Sequence, residues 1–112
     1  MTIAISPREA LRARILDALG ITTPGVTAEV VQDQHMFHKR CELVDHEGDP
    51  KHSAAEITWL HREDGRQYDY VCAGCLADRV AHLDIFCDLD AYEAIHLKVS
   101  AWYLRYAHGL DV

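Results

Sequence analysis

No apolar run in this chain approaches the roughly 18 residues of a membrane span, and no internal repeat or low-complexity tract is present. Those absences set aside membrane-embedded, repeat and disordered architectures. The opening residues, MTIAISPREALRAR, hold neither an apolar stretch nor a small-residue cleavage site, so no secretory leader is expected. Positive charge is scarce: 11 Lys+Arg stand against 18 Asp+Glu, for a net charge of −7. Arg8, Arg12 and Arg14, with Lys39 and Arg40, form the basic clusters, and both are small. Such a chain has no long-range attraction for phosphate backbones, so nucleic acid is not an expected partner.

Signatures of catalysis are also missing. There is no Gly-rich phosphate loop, no Gly-x-Ser-x-Gly, and no His-x-Glu on a helix to accompany a Cys-x-x-Cys as in the zinc deaminases, since His61-Arg62-Glu63 stands at the Asp64-Gly65 turn. Val71, not proline, precedes Cys72. His46-Glu47 lacks a second His four residues on, and Gly48 and Pro50 oppose a helix there.

What remains is the composition of one globular domain over residues 1–112, 49% hydrophobic and 26% charged. Eight Arg against three Lys fit a GC-rich genome, actinobacterial or phage. With no leader and no span, the expected location is the cytoplasm, where thiols stay reduced and cysteine pairs serve metals or catalysis more than disulfides.

The punctuation of the chain predicts an α+β fold. Ser6, Pro7 and Glu9 form a capping box ahead of Leu11, Ile15 and Leu19, and Gly20 ends that helix. Thr22 to Gly25 reads as a turn and residues 27–31 as a short strand. Residues 55–60 alternate as a strand, Asp64-Gly65 signals a tight turn, and residues 67–72 return as the partner. A helix follows from Ala73, with Leu76, Val80 and Leu83 on one face. Residues 90–108 are expected to form one long C-terminal helix, with Asp90 and Glu93 as its capping box and Gly109 beyond its end.

The four cysteines carry the chemistry. Cys72-Ala-Gly-Cys75 stands at a strand-to-helix junction, where a redox dithiol also belongs, but no βαβ series follows it. As buried small hydrophobes the cysteines need no ligand at all. An iron–sulfur cluster requires Cys87 at an eleven-residue gap, without the Gly/Trp-rich turn of the WhiB-type regulators. The metal reading explains more. His38-Lys-Arg-Cys41 repeats the two-residue gap of Cys72–Cys75, thirty residues upstream. Two such pairs supply the four tetrahedral N/S ligands of a structural Zn2+ site.

Over about residues 35–86 this arrangement resembles the treble-clef zinc-finger group. There a knuckle gives the first ligand pair, a hairpin follows, and the second pair opens a helix. The resemblance implies zinc ligands His38, Cys41, Cys72 and Cys75. It departs from the common form in having His for the first Cys and a long acidic insertion; His35 and His46 lie within chain reach of the same position. Treble-clef nucleases place a further His and a metal beside the clef, a role open to His61, His82 and the acidic run 45–49, although such runs are ordinarily solvated loops.

The expected molecule is therefore a single α+β domain: an N-terminal helix, a zinc-clasped hairpin plus helix, and a long C-terminal helix. Its expected function is a non-enzymatic, protein-binding or regulatory module. A nucleic-acid-binding zinc protein using the α-helical arginines, or a nuclease-like enzyme, stands as the alternative. On the expected C-terminal helix, Leu97, Ala101 and Leu104 form a second apolar stripe, offering a seam for the first helix, a protein partner or a second copy of the chain.

Overall fold

The computed structural model describes residues 6–35, 40–41, 52–83 and 89–112. Helix α1 spans Pro7–Leu19 as its punctuation requires. The Ser6 hydroxyl accepts the Glu9 amide at 3.2 Å, and Gly20, at φ 73°, donates its amide to the Asp17 and Leu16 carbonyls. Strand β1 is Val26–Val31. Ala55–His61 (β2) and Gly65–Val71 (β3) form the hairpin, with Gly65 at φ 79°, a conformation that favours glycine at the end of a three-residue loop. Helix α2, Ala73–Ala81, begins two residues after β3 ends. Single 3-10 turns stand at Asp33–His35 and Leu89–Ala91.

The C-terminal region differs from its sequence expectation. Residues 90–108 do not form one helix: Tyr92–Ser100 is strand β4, and only Ala101–His108 is helical (α3). The strand lies inside the four-stranded sheet, whose order is β1-β4-β2-β3. It pairs parallel with β1 and antiparallel with β2, so both its edges are hydrogen-bonded. Ile95, Leu97 and Val99 alternate into the core, a period of two that the longer 3.6-residue pattern obscures. The stripe through Leu97, Ala101 and Leu104 is thus not one helix face. Leu97 is on the sheet, Ala101 opens α3, and all three side chains are buried within the chain (2%, 7% and 0% exposed). Tyr92, Ile95, Val99, Trp102, Tyr103 and Tyr106, which would share the opposite face of such a helix, are divided likewise, with Tyr106 at 85% exposure.

One sheet face packs the core. Val26, Ala28, Ile57, Trp59, Val71, Ile95, Leu97 and Val99 join Ile15 and Leu19 of α1, Leu76 and Leu83, and Tyr103 and Leu104 of α3. Asp33 caps α3 from a distance, accepting the Ser100 hydroxyl at 2.9 Å and the Trp102 amide at 2.8 Å. The other face presents Thr27, Thr58, Tyr68, His96 and Lys98. No described helix is long and apolar enough to cross a membrane.

Candidate metal centre

The hairpin ladder does not stop at Ala55. Ala54 donates its amide to the Val71 carbonyl at 2.7 Å, and the Ser53 hydroxyl donates to the Ala55 and Val71 carbonyls. One residue further back, His52 forms an isolated antiparallel bridge with Arg40, whose guanidinium also contacts the His52 imidazole. Cys41, the residue after that bridge, lies beside the point where β3 runs into α2. That junction holds Cys72, the residue capping α2, with Cys75 in the helix's first turn.

The Sγ atoms of Cys41, Cys72 and Cys75 all lie within 4.8 Å of one another. Cys41 and Cys72 are buried and Cys75 is half-buried. Around a tetrahedral ion with metal–sulfur bonds of about 2.3 Å, sulfurs sit about 3.8 Å apart, so the cluster is near the spacing that coordination demands.

Electrostatics point the same way. Burial opposes ionisation of Cys72, but the backbone amide and thiol of Cys75, the Cys41 thiol and the Gly74 amide outweigh it and hold its pKa below the ordinary thiol value. Cys75 pays the corresponding penalty. Burial first, then its hydrogen bonds to and charge repulsion from Cys72 and Cys41, push it up to about 12. Three neighbouring thiols cannot all ionise without a cation to offset their charge, and a bound divalent ion supplies that charge. The donor set fits a thiolate-bound metal.

Three of the four ligands expected from spacing thus converge. His38, the expected fourth, and Cys87, the cysteine expected to stand apart, lie outside the described residues, as does His46. His61 and His82 have local duties. His61 Nδ1 accepts the Glu63 and Asp64 amides at 3.1 and 3.0 Å, organising the hairpin loop, and its ring stands edge-on to Tyr92. His82 caps the end of α2, with Nδ1 3.1 Å from the Asp78 carbonyl.

A second polar cluster escaped the sequence reading. Thr27 Oγ1 lies 2.6 Å from His96 Nδ1, and His96 Nε2 lies 3.3 Å from Glu29, which also receives Arg12 at 3.4 Å. Burial tends to raise the Glu29 pKa, but hydrogen bonding to and the charge of His96, then Arg12, hold it below the ordinary carboxylate value. The arginines of α1 are thereby drawn to a strand carboxylate. Parallel β1–β4 pairing brings these groups together from 69 positions apart, and nothing local in the sequence announces it. No protein-family model, curated protein or solved structure matches this chain.

Proposed function

We propose that this chain is a small, non-enzymatic binding module completed by one structural Zn2+, held by Cys41, Cys72, Cys75 and His38. The observation that carries the reading is the mutual approach of three sulfurs from two distant segments. Soft thiolates with one imidazole favour Zn2+ over Mg2+ or Ca2+. The order of the parts supports a treble-clef-like centre: Cys41 before the hairpin, and Cys72 and Cys75 at the start of the helix after it. Four protein ligands leave no coordination position for substrate or water, so the ion braces the fold and the work falls to the surface. That work, on this reading, is recognition of another protein.

Native mass spectrometry of the purified protein tests the metal. One zinc per chain is expected, lost in Cys41→Ser, Cys72→Ser and Cys75→Ser, each with a lower thermal midpoint, and kept in Cys87→Ser. His38→Ala should weaken retention, whereas His35→Ala, His46→Ala and His52→Ala should not. Equal metal content across the four cysteine variants would overturn the centre. Metal loss in His35→Ala or His46→Ala, with His38→Ala unaffected, would reassign the fourth ligand.

A further inference from the structure

The sheet face turned away from the core carries a pocket of about 320 Å³, lined by Thr58, Leu60, Arg66, Tyr68, His96 and Lys98, with Ala94 in its floor. Cross-strand register explains its layout. Thr58 of β2 stands opposite His96 of β4 on one side and Tyr68 of β3 on the other. Leu60 stands between Ala94 and Arg66 in the neighbouring row. With strands about 4.8 Å apart, the His96–Thr58–Tyr68 row is about 10 Å long.

Two properties set this pocket apart from an ordinary solvated sheet face. The first is its charge. In a chain of net charge −7, cations normally find carboxylates. Arg8 and Arg12 gather on Glu29, and Arg105 approaches Asp33. Lys98, half-buried in the pocket wall, makes no ion pair or hydrogen bond among the described residues, although Glu29 and Glu56 are its register neighbours. Glu29 is engaged by His96 and Arg12, and Glu56 is buried and has interactions of its own. Among the described residues Arg66 reaches only the Tyr68 hydroxyl, at 3.5 Å. No acidic side chain among the described residues lines the pocket.

The second property is an aromatic ring held in the open. Tyr68 is 51% exposed, one of two large apolar side chains so exposed among the described residues. A larger cleft of about 470 Å³ beside β1 and α3 lacks both features. Its Asp33 is spent on Ser100 and Trp102, and its Arg105 on the Val112 carbonyl and Asp33.

We propose that this pocket binds a small aromatic phosphate of mononucleotide size, its ring lying on Tyr68 over Leu60 and Thr58 and its phosphate met by Lys98 and Arg66. Ring stacking on tyrosine and charge-assisted contacts to phosphate are the two interactions that the free groups here offer. The net charge selects a small ligand over a polymer: a mononucleotide meets the repulsion of an acidic chain once, whereas every further phosphate of a nucleic acid meets it again. The site is separate from the cysteine centre and stands or falls without it.

Titration calorimetry of the metal-loaded protein with AMP tests the proposal, beside adenosine, inorganic phosphate and a single-stranded oligonucleotide of about ten residues. AMP should bind with a dissociation constant of about 0.1–1 mM, and adenosine and phosphate each at least about tenfold more weakly. Lys98→Ala, Arg66→Ala and Tyr68→Ala should each weaken AMP about fivefold or more, while Tyr68→Phe and the remote Arg14→Ala stay within about twofold. These side chains lie on the solvent face, and unchanged thermal midpoints will show that the variants fold. Backbone amide shifts on adding AMP should centre on Thr58, Tyr68 and His96. Absence of AMP binding up to about 10 mM, or shifts elsewhere, would overturn the site. Phosphate binding as tightly as AMP would remove the ring from the argument. Adenosine matching AMP would remove the anion. An oligonucleotide binding more tightly than AMP would replace the small ligand with a nucleic acid.

Discussion

Replacing Leu97 with alanine separates a core position from an interface position. Leu97 sits near the middle of β4, between Ala28 on β1 and Ile57 on β2, and is 2% exposed. Its side chain points into the layer shared with Ile15, Leu76 and Leu104. Large-to-small changes at such positions cost about 2–5 kcal/mol, the higher values arising where the walls cannot collapse. Here the walls on either side are strands fixed by paired ladders, and Ala28 has no side-chain length to fill the space. We therefore expect about 3–4 kcal/mol. At about 4 °C per kcal/mol for a domain of this size, the thermal midpoint should fall by about 12–16 °C. Circular dichroism melts of metal-loaded protein at two concentrations about tenfold apart, with sedimentation of both proteins, would measure it. The variant should stay in the wild-type oligomeric state, and the loss should be the same at both concentrations. A loss below about 1 kcal/mol, or a wild-type dimer that dissociates on substitution, would refute the packing argument and restore Leu97 to an interface.

Further outcomes follow from other contacts. Asp33→Ala removes the acceptor for the Ser100 hydroxyl and the Trp102 amide and should cost about 1–2 kcal/mol by chemical denaturation. Glu29 has a folded pKa depressed below its unfolded value of 4.5, so its stabilisation is present above that value and lost as pH falls through the folded pKa. Glu29→Gln should accordingly flatten the acid limb of the stability–pH curve below about pH 5, and an unchanged limb would remove the His96–Glu29–Arg12 link as its cause. A strong chelator should lower the melting midpoint of wild-type protein and leave that of Cys72→Ser unmoved.

Local chemistry was enough for several elements. The boundaries of α1 rest on Ser6, Pro7, Glu9 and Gly20, groups that satisfy helix-end hydrogen bonds without help from the rest of the chain. The hairpin rests on Asp64-Gly65, because few residues other than glycine accept φ near 79°. The matched two-residue gaps named Cys41, Cys72 and Cys75 as partners, and the hairpin between them, with the Arg40–His52 bridge beyond it, stands where they converge.

The last third of the chain could not be decided this way. Residues 92–104 carry apolar side chains at both helical and strand spacing, and isolated chain physics does not choose between them. Two long-range ladders choose: β1, nearly 70 positions earlier, on one side and β2 on the other supply backbone hydrogen bonds in place of those a helix would have made internally. Placing β4 at the centre buried Leu97, which a surface helix would have shown to a partner. It also set His96 and Lys98 beside Thr58 and Tyr68, so the pocket on the open face exists only through strand order. Sequence fixes which groups can end a helix or ligate an ion, because those acts span a few residues. Which strands become neighbours is a property of the whole core, and so is every site built across them.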